Sequence, residues 1–322
     1  MKVMFLGGAS GIGASCAAVQ IGERWVLVDA GIRMDPSADR LPDLSFLQDK
    51  LLAAIFVTHA HADHIGALPL VHQAFPAVPI YASRATMLLM EVMLSDALQV
   101  MERRAATEFE VPLYDEEMVT STLHHLYPLP LNDTVTMAEL PGVTIHTARA
   151  GHVAGAISIG FEAPDGRLLM SGDVSVTPQH TVPGAQIPTL KHPDLLVLES
   201  TYGARLHPNR QAEEERLALA VAEGIERGGH VLIPSFALGR AQEVLRILHM
   251  AQRRGQIPEF PVWVDGLVRR VCATYTAMPE SLTPMLQRQI HRGYTPFFTG
   301  MVRAVPDARS RERCSRASHR VS

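Results

Sequence analysis

This chain of 322 residues is short of three things, and each shortage excludes a class of protein. It has three cysteines, Cys16, Cys272 and Cys314. They lie far apart, form no C-x-x-C pair and leave one thiol over in any disulfide scheme, so no disulfide framework is encoded and a reducing, cytoplasmic setting is expected. It has no apolar run of about 18 residues, so no membrane-spanning helix is expected. It has no large excess of charge: the formal balance of −4 argues against a general nucleic-acid coat protein, though it leaves room for a local basic groove. The start, "MKVMFLGGASGIGASCAAVQ", has the apolar character of a leader, but four glycines break it and the strand-like "RWVLVDAG" follows at once; it reads as part of the fold.

What is present is a large apolar fraction, 47% of residues, enough for one big core or two moderate ones. Short apolar segments separated by turn residues fill the first two hundred positions: "KVMFLG", "RWVLVDAG", "AAIFVTH", "VPIYAS", "VTIHTA", "AISIGFE", "RLLMSGD" and "LLVLES". They predict a sheet-rich region, interrupted by one long helix at about 84–105 whose Met and Leu residues are spaced for core packing. After residue 210 the pattern changes. "AEEERLALAVAEGIERG", "LGRAQEVLRILHMAQRRG" and "LVRRVCATYTAM" predict helices alternating with strands at "HVLIPSF" and "FPVWVDG", the pattern of βαβ units in a parallel sheet. The division expected is 1–203, 204–305 and a basic, Arg- and Ser-rich tail at 306–322 with almost nothing to bury.

"GGASGIG" at residues 7–13 has the look of a dinucleotide-binding turn, with Asp29 near the distance of a ribose-binding acid. Only about ten residues separate Gly13 from the strand at Arg24, too few for a βαβ crossover, so a tight antiparallel hairpin is predicted instead.

The chemistry concentrates in "FVTHAHADHIGALPL". His59, His61, Asp63 and His64 fall within six positions, directly after a buried-strand pattern. Imidazoles and a carboxylate are costly to bury together unless they hold something, and a divalent metal such as Zn²⁺ takes this donor set. Further ligands must come from elsewhere. His152 stands between glycines before a strand, and Asp173 ends another apolar strand, suited to bridging two cations; either residue alone is more often a turn former, and their chain order and strand-end placement favour the ligand reading. Asp29 ends a third strand, as a partner orienting a ligand histidine or as a turn residue. Two metals a few ångströms apart supply hydroxide at neutral pH from a bridging water and clamp the oxygens of a phosphoryl or acyl group, which makes a hydrolase the expectation.

"HAHADH", then His152, then Asp173, with Asp29 upstream, resembles the motif series of the metallo-β-lactamase superfamily. "LESTYG" and "IPSFALGRAQE" resemble its β-CASP branch, and the whole to about residue 310 is similar to bacterial and archaeal relatives of the cleavage-and-polyadenylation endonuclease. The resemblance implies an α/β fold: an αββα sandwich, here incomplete, followed by part of a parallel α/β β-CASP domain. It implies one zinc on His59, His61 and His152, a second on Asp63 and His64, and Asp173 between them, with Asp63, Asp173 and Glu199 as the catalytic carboxylates. It implies hydrolysis of RNA phosphodiester bonds, single-stranded RNA (or DNA) as the partner, no membrane, and a homodimer.

Ser235, with backbone N–H groups at a strand-to-helix junction, and Arg240 are candidates to hold a phosphate, against an ordinary cap region and a surface charge. An RNA groove would further ask Arg205, Arg210, Arg240, Arg269 and Arg270 to cluster. The family's returning segment, with two more histidines, has no counterpart here. His291 and His319 lack the flanking motifs, so a truncated member whose second zinc lacks a ligand is expected. Two other readings compete: a small-molecule metallohydrolase of thioesterase or lactonase type, which leaves "LESTYG" unexplained, and an impaired fragment that binds RNA or a partner. His72, His124, His125, His180, His207 and His249 fit no ligand pattern.

Overall fold

The structure, a computed structural model, describes residues 1–35 and 39–305. The expected basic tail at 306–322, with Cys314 and His319, lies outside the described residues. The chain divides into two compact units, one of Met1–Pro178 with Gly184–Thr201 and one of Gln179–Pro183 with Tyr202 onward.

The first unit holds two sheets. One has six strands in chain order: β1 (Lys2–Gly7), β2 (Cys16–Ile21), β3 (Arg24–Val28), β4 (Leu52–Val57), β5 (Ile80–Ser83) and β6 (Leu126–Leu129). β1, β2 and β3 are antiparallel neighbours, and β3 through β6 run parallel. β2 and β3 form the hairpin the spacing predicts, turning at Gly22 with φ +61°, and no helix follows the glycine run. The second sheet has the order β11 (Leu195–Val197), β10 (Gly166–Met170), β9 (Ile157–Ala163), β8 (Thr144–Arg149) and β7 (Thr134–Thr136). Alternation along the strands sends Ala17, Val19, Val26, Val28, Ala54 and Phe56 from one sheet against Ile145, Ile157, Ile159, Phe161, Leu168 and Met170 from the other. That apolar layer is the core, and Phe56 meets Phe161 edge-on at 5.3 Å between ring centres.

Helices α1 (Ala62–Ile65), α2 (Leu68–Ala74), α3 (Arg84–Glu108) and α4 (Glu116–His124) belong to the first sheet's side, where α3 packs on β5 and β6. Among the described residues of this unit, no α-helix follows the second sheet's strands. β11 is the last strand of its sheet among the described residues, and it leaves Leu195 and Leu196 exposed. α4, β2, β6 and β7 carried no strong sequence signal. In α4, Asp115 caps the Met118 N–H at 2.9 Å and sets a helix start for a segment rich in β-branched residues.

The second unit contains α5 (Arg210–Glu226), α6 (Arg240–Arg253), α7 (Val268–Ala277) and α8 (Pro284–His291), with β12 (Val262–Val264) pairing parallel to β13 (Val302–Ala304). Its core joins Ala218, Val221 and Ala222 of α5 to Leu248 and Ala251 of α6, with Ile257 and Phe260. The strand expected at "HVLIPSF" is not formed: residues 230–236 have no ladder, and Leu232 and Phe236 are exposed. Strand composition needs a neighbouring backbone to become a strand, and none lies alongside it among the described residues. Among the described residues no helix is long and apolar enough to cross a membrane.

Candidate metal centre

β4 is an apolar strand between two parallel neighbours, and its carboxyl end delivers Thr58 and His59 into the site. The chain then turns: His61 is the N-cap of α1, whose single turn carries Asp63 and His64. The turn is seated by the segment after β3 and by Ser15, just before β2. Ala30 N–H donates to the His64 carbonyl, Ile32 N–H to Ala62 and Ser15 N–H to Asp63, at 2.8, 3.1 and 2.9 Å. Gly31 permits this approach, because a Cβ there would lie 1.6 Å from the Asp63 carbonyl oxygen.

Asp29 organises the histidines. It stands at the end of β3 in the left-handed region, φ +61°, and its N–H donates to the Phe56 carbonyl. One carboxylate oxygen accepts from Thr58 N–H at 2.7 Å. The other accepts from the Thr58 hydroxyl at 2.7 Å and faces His64 Nδ1 at 2.8 Å. With its proton given to Asp29, Thr58 Oγ1 can only accept from His59 Nδ1, 3.1 Å away. Both rings are therefore held with Nδ1 protonated, which turns Nε2 of His59 and of His64 toward the centre. Thr58 was not a candidate from sequence; after a valine-rich run it reads as one more strand residue.

His59, His61, His152 and Asp173 each bring one donor atom to a group whose members all lie within 4.8 Å of one another. His61 Nδ1 is 3.0 Å from His59 Nε2 and 3.2 Å from His152 Nε2. Asp173 Oδ2 lies 3.8 Å from His59 Nε2 and 3.6 Å from His152 Nε2. A ring nitrogen makes one hydrogen bond, as donor or as acceptor, so His61 Nδ1 cannot satisfy both neighbours. A tetrahedral cation with bonds of about 2.0–2.1 Å sets its donors about 3.3 Å apart, which is this spacing. The donor set fits a divalent metal. On the other side of Asp173, His64 Nε2 is 3.5 Å from Oδ1 and 3.9 Å from Asp63 Oδ2, so the two Asp173 oxygens face two different groups.

Burial, with the neighbouring His64, His61 and His152, drives the His59 imidazole well below its usual range. Burial also opposes charge on His64, but the charge and hydrogen bond of Asp29, then Asp173 and Asp63, outweigh it and push that ring up to about 9. Asp173 is raised to about 6, chiefly by burial and then by Asp63, Glu199 and Asp29 against the pull of His64. A folded-state pKa above the unfolded value of 6.5 gives stability that is complete below pH 6.5 and is lost as pH rises through 9. His59 and Asp173 exert their changes below that window. The urea midpoint of chelator-treated protein is therefore expected to fall between pH 6.5 and 9, by up to about 3 kcal/mol of stability. A midpoint that holds or rises would show that His64 is not ion-paired.

Glu199 follows β11. Its N–H donates to Ser171 Oγ at 3.0 Å, and its carboxylate accepts from Val174 and Thr201 N–H groups at 3.4 and 3.0 Å. It is thus tied to both ends of the segment that presents Asp173. Ser235 and Arg240 lie in the second unit. The expected strand-to-helix junction is absent, since Ser235 sits in irregular chain and Gly239 caps α6, its N–H held by Gln242 Oε1 at 2.8 Å; Arg240 is exposed on the first helical turn. Arg210 does not offer a free charge to a ligand: it binds Glu214 and Glu243, each at 2.6 Å. Glu243, missed in the sequence, is buried and also accepts from the His180 and Thr181 N–H groups at 2.8 Å.

A family profile described as the metallo-beta-lactamase superfamily matches residues 10–222. "Transcription termination factor FttA" of Methanocaldococcus jannaschii is 32% identical over 322 residues, which are 97% of this chain and 49% of that protein. "Ribonuclease TTHA0252" of Thermus thermophilus is 31% identical over 319 residues, 98% of this chain and 70% of that protein. The chain thus spans about half the length of the FttA proteins it matches. A crystal structure of a protein of unknown function from Enterococcus faecalis superposes with a TM-score of 0.51 at 16% identity, covering 88% of this chain and 72% of that one, a likeness of fold.

Proposed function

Since this chain belongs to the metallo-β-lactamase superfamily and its β-CASP branch, we propose that it is a zinc-dependent hydrolase of RNA phosphodiester bonds. The observation that carries the proposal is the convergence of three imidazole nitrogens, 3.0 and 3.2 Å apart, beside a carboxylate whose second oxygen faces another His–Asp pair. The relative named as a ribonuclease supplies the substrate class. His59, His61 and His152 would hold one zinc, Asp63 and His64 would hold the second, and Asp173 would serve both. A pair of divalent metals so placed activates water and neutralises charge building on a phosphoryl group. Asp29 acts on His64 directly and on His59 through Thr58, fixing which nitrogen of each of these two rings faces the centre. Glu199, held by two backbone N–H groups beside the Asp173 segment, helps hold the proton that the leaving oxygen takes. Buried thiols at Cys16 and Cys272, both unpaired, agree with a cytoplasmic setting.

The test is cleavage of a labelled single-stranded RNA by the whole chain supplied with zinc, beside bis(p-nitrophenyl) phosphate and a thioester. Cleavage of RNA and of the small diester, abolished by chelator and restored by zinc, is the expected result. Hydrolysis of the thioester alone would overturn the substrate class, and a zinc-loaded protein inert to all three would overturn the enzyme.

A further inference from the structure

We propose that Ser83 and Thr86, at the start of α3, are positioning residues for His152; the inference rests on the metal-centre reading above. His152 sits in the loop between β8 and β9, "GHVAGA". The loop is held to its surroundings at several points. Gly151 bridges to Val174, next to Asp173. Ile157 N–H donates to the Thr58 carbonyl at 3.0 Å, next to His59. A further attachment reaches a different element. The Gly155 carbonyl accepts two hydroxyls at once, Ser83 Oγ at 2.7 Å and Thr86 Oγ1 at 3.0 Å, and both residues are buried.

The hydrogen-bond accounting closes. Ser83 Oγ accepts the Thr86 N–H at 3.1 Å as the helix cap; its single proton has two acceptors in reach, the Gly155 carbonyl at 2.7 Å and Thr86 Oγ1 at 3.0 Å, and goes to the nearer, Gly155. Thr86 Oγ1 has one proton and gives it to the same oxygen, whose two lone pairs are then filled. Gly155 has φ +81°, and a Cβ there would lie 2.6 Å from Thr86 N and 2.8 Å from Ser83 Oγ. The loop backbone is thus pressed against the amino end of a 25-residue helix, where a carbonyl oxygen is also favoured by the helix dipole. Packing alone does not require Thr86. A valine has its shape, and without a partner carbonyl the threonine hydroxyl would be a cost at a fully buried site. The hydroxyl fixes a carbonyl three residues after a metal ligand, and by that route it sets where the His152 ring stands.

The experiment measures zinc affinity of the full chain by chelator competition, and the visible absorption of the cobalt form, in wild type, Thr86→Val, Thr86→Ser and Ser83→Gly. Glycine keeps most of the cap's contribution to the helix while removing the hydroxyl. Loss of such outer partners typically weakens metal binding about tenfold to a hundredfold. Thr86→Val and Ser83→Gly are expected to show that loss with an altered cobalt spectrum, and Thr86→Ser to restore both. Metal-free melting separates a positioning effect from unfolding, and Ser83→Gly carries the test if Thr86→Val does not fold. Wild-type affinity and spectrum in both hydroxyl-deleted variants would overturn the inference and leave the metal reading standing. A wild-type chain that binds neither zinc nor cobalt would overturn both.

Discussion

Asp173→Asn is expected to abolish hydrolysis, by about 10³-fold or more, while leaving the fold intact or slightly firmer. The two halves of that result have one cause. The carboxylate stands among Asp63, Glu199 and Asp29, whose charges help raise it to about 6, so in the metal-free protein its own charge is a burden. Asparagine keeps the shape and removes the charge, relieving that repulsion. It also removes one of the four donors grouped with His59, His61 and His152, and the oxygen that faces His64 at 3.5 Å. Steady-state rates on the small diester and melting of the chelated protein measure both halves. Activity within tenfold of wild type would show that Asp173 does not serve the chemistry. A large drop in metal-free melting would show that its charge supports the fold.

Gly31→Ala is expected to be far more damaging than a single methyl group usually is, costing about 3 kcal/mol or more and dispersing the site. The added carbon would sit 1.6 Å from the Asp63 carbonyl oxygen and 2.0 Å from its carbon. These are backbone atoms, so no rotamer change relieves the overlap. The segment after β3 would have to part from α1 and break the bonds from Ala30 to His64 and from Ile32 to Ala62. Asp63 and His64 would move with them. Urea unfolding of the variant together with zinc titration checks this; stability within about 1 kcal/mol of wild type would mean that the close contact is not essential.

The parts of this site that were legible in the sequence are those whose signal is local. "AAIFVTHAHADH" joins a buried strand to a crowded ligand series in twelve positions, and β4 with α1 builds it as such. His152 and Asp173 were legible as polar residues at strand ends. The residues that hold these ligands in place were not. Thr58 works through Asp29, 29 positions away; Gly31 is needed because of a carbonyl 32 positions on; Ser83 and Thr86 matter for a loop about 70 residues downstream. Each has an ordinary local reading as strand, turn or helix cap, and only the tertiary fold brings the partner. "HVLIPSF" shows the converse, since its composition is that of a strand and the ladder that would make it one is missing among the described residues. Arg210 reads as a basic residue awaiting a phosphate and is instead held by Glu214 and Glu243.

The most direct test of the metal centre is elemental analysis of the purified whole chain after extensive desalting, compared with His59→Ala. His59 is fully buried, its tautomer fixed by Thr58, and its Nε2 is within 4 Å of both His61 and Asp173. The account predicts at least about one zinc per chain in wild type and almost none in the variant. A wild-type chain that retains no stoichiometric metal, or a variant that retains as much, would contradict it.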